Sequence, residues 1–514
     1  MTTLSKLPND IFWLICHYIS QADAARLARV SRRLYDVFIE RAWWQIPDKL
    51  LEKDQALARE LVLKYDKYVH IINATDVMNT VVPEAYWPRF FPKVRRLIVG
   101  NQSGQQGRQQ GSNVIPLPLQ SLLSEHRLAQ FPALGRIDVH YSALSSISIA
   151  STVNKLKSIR TLAIMLNFDG GSGRVVQGIR NELDSTKKLV LDVTVSQHLD
   201  GITATAFRDL APHIESLDVT GSAYHNCTHT TNDQLFMNDG KPVAFPQLKR
   251  LSVFLGPAPN AGDPIYVPSP SVMPELVGLT VKARSCNTYN HECRNTETVM
   301  TALFQPVWKK LQKLQLSSVE ESLSLEALVK SVPNATDMNL AYKFPIIPST
   351  PDPKYCYRCE QFTQPPPPPP PPPINPCDIF ILIAKLPRLI DLSIKTRGIR
   401  AVCTPSFNFN SKCYSYIDNG NSNANLLANS RIMRVSLTGF EYMTSTAFAV
   451  IFSLPAVLNV YLKGSFQNLS DIRDITSSMR SVAKATKIDT GRSSQPEMTN
   501  IVNAMCPLGS TLVC

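Results

Sequence analysis

One phrase recurs along this chain and restricts its fold more than any other feature. It is an apolar-Pro corner followed by Leu-x-x-Leu-x-Val or a close variant. The phrase reads FPKVRRLIV up to Val99, FPALGRIDV up to Val139, FPQLKRLSV up to Val253 and MPELVGLTV up to Val281. VPNATDMNL, LPRLIDLSI and LPAVLNVYL close at Leu340, Ile394 and Leu462. Looser copies are NKLKSIRTLAI, TKKLVLDV, PHIESLDV, WKKLQKLQL and SRIMRVSL. The closing alternation of apolar and polar residues is the pattern of a short strand with one buried face. Indexed on the central apolar residue, the units fall at 97, 137, 162, 191, 217, 251, 279, 314, 338, 392, 435 and 460. Eight of the eleven gaps lie between 24 and 35 residues, room for one strand and one helix. Helical stretches such as QSLLSEHRLAQ, NTETVMTALFQPVW and CDIFILIAKL occupy those gaps. A unit of that size cannot bury its apolar face alone, so neighbours must stack in chain order. A doubly wound α/β domain also alternates strands and helices, but it would use only a few such phrases.

The phrase resembles an irregular leucine-rich repeat that does not keep that family's Asn/Cys ladder position. The resemblance implies a curved α/β solenoid over residues 81–490, with parallel strands on the concave side and helices on the convex side. Leu97, Ile137, Leu162, Leu217, Leu251, Leu279, Leu314, Leu392 and Leu458 are then expected in its core. Loops of variable length between units, such as GNQSGQQGRQQGSN after Val99, would carry recognition.

Residues 345–376 break the period with nine consecutive prolines, from Pro365 to Pro373. Fixed φ angles and missing donors make that run a polyproline II segment. It reads as a semi-rigid spacer on a tolerated loop, or as a docking site for SH3, WW or profilin-type domains. Cys356 and Cys359 beside it form a lone C-x-x-C. Zinc needs four ligands, and Cys377, Cys403, Cys413, His291 and Cys293 stand at irregular spacings, so no metal site is expected. Eleven cysteines, an odd number at irregular spacing, read as reduced thiols. The first residues show neither the basic stretch nor the small-residue cleavage site of a secretory leader. A cytoplasmic or nuclear location is the corresponding expectation, and Asn226, Asn334 and Asn468 are then chance sequons. The apolar run at residues 447–462 is interrupted by Ser453, Pro455 and Asn459 and reads as a buried helix and strand, not a membrane span.

The first twenty residues pose a separate problem. LPNDIFWLICHYI begins with Pro8, suited to a first helical turn, and with Asn9 and Asp10 at the positive end of the helix dipole. Ile11, Leu14, Ile15, Tyr18 and Ile19 fall on one stripe, while Phe12, Trp13 and Cys16 make the opposite side apolar as well. A helix apolar all round is covered on all sides, yet this one is too short to cross a bilayer. A second helix follows with Asp23 as its expected cap and Leu27 and Val30 as its apolar positions. Ser31 caps a third, with Leu34, Val37 and Phe38 on one face. A unit of about forty residues rarely holds together alone. It can be an ordinary subdomain packed on its own chain, or a module that keeps its second face for a partner.

Leu7-Pro8, Asp10-Ile11, Ile15, Ile19, Asp23, Leu27, Val30-Ser31-Arg32-Arg33 and Trp43-Trp44 with Ile46 resemble an F-box in order and spacing. The one departure is Ala24, where that family more often has Leu. The resemblance covers residues 4–47 and implies docking on the Skp linker of a cullin–RING ubiquitin ligase. Carried over position by position, it makes Leu7, Pro8, Ile11, Ile15, Val30, Ser31 and Trp43 the docking or supporting residues. Residues 48–80 are expected to be a helical linker and residues 491–514 a C-terminal tail.

Composition is that of a folded chain, 44% hydrophobic and 18% charged. The net charge of +12 comes from scattered Lys and Arg, whose densest group is Arg26, Arg29, Arg32, Arg33 and Arg41. That distribution argues against a nucleic-acid surface. No phosphate-cradling Gly loop, G-x-S-x-G or H-E-x-x-H occurs, so neither a cofactor nor catalysis is expected. The expected function is substrate recognition for an SCF-type ubiquitin ligase, with a client protein on the solenoid. The alternative is a leucine-rich-repeat scaffold outside ubiquitination.

Overall fold

A computed structural model of the chain describes residues 8–47, 50–51, 54–74, 76–100, 122–140, 149–195, 199, 201–219, 235–255, 268–283, 302–319, 325–343, 385–397, 430–440, 456, 459–464, 485–489 and 511–513. The chain divides into two units, Met1–Val195 with Leu199–Ser216, and Ser196–His198 with Leu217–Cys514. The polyproline run, Cys356, Cys359 and Leu458 lie outside the described residues.

The first unit opens with three helices, α1 (Asn9–Tyr18), α2 (Gln21–Ala28) and α3 (Arg32–Ala42), and continues with α4 (Gln55–Lys64). Five strands follow: β1 (Ile71–Ala74), β2 (Arg96–Val99), β3 (Arg136–His140), β4 (Thr161–Asn167) and β5 (Lys188–Thr194). Each pairs with the next in parallel. Parallel neighbours need a crossover, and helices at Glu125–Leu128, Ile149–Lys155 and Gly170–Glu182 occupy the later ones. β6 (Ile214–Asp218) covers the point at which the chain passes to the second unit.

The second unit starts with a two-stranded antiparallel hairpin, β7 (Met237–Asn238) and β8 (Lys241–Pro242). Its turn places Asp239 and Gly240 at φ +50° and +74°, the left-handed pair that an Asp-Gly turn supplies. Nine strands then pair in parallel and in chain order: β9 (Arg250–Leu255), β10 (Gly278–Ala283), β11 (Lys313–Val319), β12 (Asp337–Lys343), β13 (Asp391–Arg397), β14 (Arg434–Phe440), β15 (Asn459–Gly464), β16 (Ala485–Asp489) and β17 (Thr511–Val513).

The recurring phrase is the reason for this regularity. Its corner residue is buried and its carbonyl accepts from the N–H three residues on: Phe91 from Val94, Phe131 from Leu134, Phe245 from Leu248, Met273 from Leu276, Trp308 from Leu311 and Leu386 from Leu389. At most of these junctions the residue just before the strand then offers one carbonyl to two N–H groups of the following unit; Arg160 O takes Lys188 N. Arg95 O takes Gly135 N and Arg136 N, both at 3.0 Å, and Gly135 O takes Arg160 N at 2.9 Å and Thr161 N at 3.1 Å. In the second unit Lys249, Val277, Gln312, Thr336 and Ile390 do the same, each for the unit after it. The register follows: Leu251 stands beside Leu279, Leu279 beside Leu314, then Met338, Leu392, Val435 and Val460. Leu97, Ile137, Leu162, Leu217, Leu251, Leu279, Leu314 and Leu392 are all buried, as expected.

Three readings of the repeat need correction. The residue in register with Leu162 is Leu189, not Leu191. Both sit on the same side of the strand, so the period of two left the phase of TKKLVLDV undetermined. Residues 48–80 are not wholly helical, because β1 lies there and pairs with β2. Residues 491–514 contain β17, paired with β16. β1 has no apolar-Pro corner ahead of it, which hid it from the phrase; β17 follows the corner Cys506-Pro507 at the usual spacing, a copy of the phrase that the reading passed over.

If the shared carbonyl holds each unit to the next, removing one of its donors should matter more than removing a side chain. Gln312 is exposed and its N–H donates to Val277 O at 2.8 Å. Gln312→Pro should lower unfolding free energy by about 1–3 kcal/mol, and Gln312→Ala should leave it within about 0.5 kcal/mol. Chemical denaturation of both variants measures the difference. Equal midpoints would show that the rung is dispensable.

Candidate functional site

The three N-terminal helices bury one apolar cluster of Phe12, Cys16, Ala24, Ala28, Leu34, Val37, Phe38 and Ala42, with Ile15, Ile19, Leu27, Tyr35 and Trp43 packed at its edge. Phe12 and Phe38 meet edge to face at 5.9 Å, and the Arg33 guanidinium lies 5.5 Å over the Phe12 ring. Ala24 is completely buried, so the departure from Leu there places a smaller side chain in the centre of the module. Burial pushes the Cys16 thiol above its ordinary range.

Caps and cross-ties fix the helices. Ser20, not Asp23, caps α2: its hydroxyl accepts from Asp23 N at 3.1 Å and donates to Asp23 Oδ2 at 2.7 Å. Asp23 is the third residue of the helix, so the expected cap lies about one turn past the actual one. The Ser20 hydrogen bond holds the Asp23 carboxyl below its usual range. Ser31 caps α3 as expected, accepting from Leu34 N at 3.2 Å. Gln21 Nε2 donates to Ala42 O at 2.8 Å and also to Gln45 O. The Arg41 guanidinium donates to Ile19 O from two nitrogens, at 3.3 and 3.2 Å. One member of the densest cationic group is therefore a strut between α3 and the end of α1.

The packing splits the apolar stripe read on α1. Phe12 and Cys16, with Ile15 and Ile19, face the cluster. Ile11 is 40% exposed, Trp13 45% and Leu14 57%, and Val30 in the turn after α2 is 70% exposed. The described residues leave a large share of each of these four side chains uncovered. They are the physical content of a helix apolar on both sides.

A second junction ties this module to the strands of its own unit. Trp44 O accepts from His70 N at 2.9 Å and Ile71 N at 3.0 Å, and Gln45 forms a parallel bridge with Ile71. His70 O in turn accepts from Arg95 N and Arg96 N, at 2.9 and 3.2 Å. This is the same shared carbonyl that joins successive strands. The His70 ring stacks on Trp44 at 4.0 Å, and its Nε2 lies 2.9 Å from Glu40 Oε1. Burial lowers the His70 pKa from 6.5, partly opposed by Glu40 and reinforced by Arg95 and Lys93.

The structure sorts the sequence-derived docking residues. Pro8 is exposed at the N-cap of α1, and Ile11 and Val30 are exposed apolar positions. Ile15 is half-buried against the cluster, Ser31 is the exposed α3 cap, and Trp43 is half-buried and stacked on Tyr65 at 4.5 Å. Leu7 lies outside the described residues. Trp13 and Leu14 belong with the exposed set; the signal for them was the apolar character of the whole helix. Among the described residues no group of His, Cys, Asp or Glu could hold a metal ion. No helix among them is long and apolar enough to cross a membrane.

The family model for F-box-like domains matches residues 4–48 of the chain. No curated protein matches it.

The depressed His70 pKa gives the junction a pH dependence. Unfolded His70 takes up its proton first as pH falls, so the contribution of neutral His70 is present above about pH 6.5 and lost below it. His140 and His213, also held low by burial, act in the same direction. His70→Phe keeps a ring on Trp44 and removes the titration. Thermal unfolding between about pH 7.5 and pH 5.5 should lose less stability in the variant than in the native chain. Parallel curves would remove His70 from the acid sensitivity of this unit.

Proposed function

We propose that the chain is a substrate-recognition subunit of an SCF-type ubiquitin ligase. The F-box-like module docks on the Skp linker, and a leucine-rich-repeat solenoid formed by the parallel strands receives a client protein. The observation that carries the reading is the coincidence of the family match over residues 4–48 with a helical module that leaves Ile11, Trp13, Leu14 and Val30 in solvent. F-box-like domains serve in general as non-catalytic adaptors of such ligases, and an apolar face without an intramolecular cover is what an adaptor needs.

The subunit works by positioning. Linker binding fixes one end of the chain in the ligase, and client binding raises the effective concentration of client lysines near the ubiquitin-charged enzyme. Pro8, Ile11 and Val30 supply contact area in this reading. Ile15, Ser31 and Trp43 hold the helices that present it. Its place of work is the cytoplasm, the nucleus or both.

The reading separates binding from folding residue by residue. Ile11→Ala with Val30→Ala removes exposed apolar area, so the unfolding midpoint should move by only a few degrees. In the complex the same atoms are desolvated, and their loss should cost about 2 kcal/mol or more, about thirtyfold in affinity for the purified Skp linker. Phe12→Ala should reverse the order and destabilise the module by about 3–5 kcal/mol. Calorimetric binding to the linker beside thermal unfolding tests both, and co-purification of a cullin separates a ligase subunit from a scaffold. Undiminished linker binding by the double variant would refute the assigned face.

A further inference from the structure

We infer that the outward face of strands β9 to β14 is a docking surface for an extended acidic segment of a client protein. The inference rests on the receptor reading above and gives the chemistry of what the receptor takes. Successive residues of a strand point to opposite sides. Second and fourth positions, such as Leu314 and Leu316, are core, so first, third and fifth positions look outward.

Most outward positions of these six strands are polar or charged; Gly278, Phe254 and Ala341 are the exceptions. The third-position row runs Ser252, Thr280, Gln315, Asn339, Ser393 and Ser436 in register, each half-buried or exposed. All six carry hydrogen-bonding side chains suited to a peptide backbone or a carboxylate. Beside that row stand five cations, Arg250, Lys313 and Arg434 at first positions and Lys282 and Lys395 at fifth positions. The same positions hold two carboxylates, Asp337 and Asp391, and Asp391 is already engaged by Arg434.

The first unit offers the contrast. Its third-position row contains Ile98, Ala163 and Val190, all buried. Asp138 in that row is buried as well, held by Arg96 and by Arg136 at 2.6 Å. There the chain's own carboxylate takes up the cations. In β9 to β14 cations exceed carboxylates beside an accessible hydrogen-bonding row, and the complementary partner is anionic. Six strands at about 4.8 Å span roughly 24 Å, which about seven extended residues cover at about 3.4 Å each. Side-chain carboxylates spaced along one such segment can meet cations on several strands.

The test uses the full chain, alone and with the purified Skp linker. A displayed library of random heptapeptides is panned on it, and the strongest peptide is synthesised and measured by fluorescence anisotropy. Selected peptides should be rich in Asp and Glu. Their affinity should fall at least about tenfold in Lys282→Glu/Lys313→Glu/Lys395→Glu and stay within about threefold in the corresponding Lys→Arg triple. Neutral or basic selected sequences, or undiminished binding to the Glu triple, would overturn the proposal. So would a single-stranded RNA of equal charge that displaces the peptide and binds more tightly, since the face would then be a nucleic-acid surface. Unfolding midpoints of both triples exclude loss through misfolding. Linker binding by the native chain is scored separately: its absence overturns the receptor reading, and the peptide result still decides the surface.

Discussion

The architecture depends on one main-chain device, a carbonyl just ahead of a strand that takes two N–H groups from the next unit. Gly135 O, Val277 O and Gln312 O each hold a pair of donors between 2.7 and 3.1 Å away. The device uses no side chain, so the exposed or half-buried residues that carry it can be Arg, Gly, Val, Gln, Thr or Ile without changing the register. It also sets what the sequence must supply. The corner four residues upstream has to be buried and the strand has to alternate, and those are the two things the recurring phrase keeps. An Asn or Cys ladder is unnecessary where the backbone already makes the rung.

Trp44 O makes the same rung with His70 and Ile71. Within its unit, the helical module is therefore joined to β1 in the way β1 is joined to β2, with the Trp44–His70 stack and the Glu40–His70 contact added. A flexible tether between docking module and strands would let anything bound to the strands sample many orientations. A backbone rung with a stacked ring pair narrows that range, and in the proposed receptor role a narrow range raises effective concentration.

The strand rows and most of the first three helices were legible because they rest on periodicity. Leu97, Ile137, Leu251 and Leu279 were identifiable as core from spacing alone, and Ser31 as a cap from its place before an apolar run. What escaped has physical reasons. Leu189 and Leu191 share a face, so burial could not choose between them. β1 has no apolar-Pro corner ahead of it, and the phrase ahead of β17 begins with Cys506-Pro507 in place of a larger apolar corner. Asp23 and Ser20 are both good caps, and the bond from Asp23 N–H to the Ser20 hydroxyl shows which one takes the role. On α1 the sequence showed two apolar sides but not which one the chain would cover. That was decided by Phe12, whose ring fits against Phe38 and beneath Arg33.

The uncovered side has an energetic consequence. Fully burying a side chain the size of Val, Leu or Ile contributes about 1.5–3 kcal/mol. Ile11, Trp13, Leu14 and Val30 are 40–70% exposed, so the module holds several kcal/mol of unrealised burial. A helical unit of about forty residues has little stability of its own to spare, and its core here includes three alanines, one of them where the F-box pattern favours Leu. Anything that binds the folded module and not the unfolded one stabilises it by mass action. The apolar side that α1 withholds from its own core thus ties the stability of the module to any partner that covers it. The small Ala24 core contact deepens that dependence, because the intramolecular share of the burial is reduced while the share left for the partner is not.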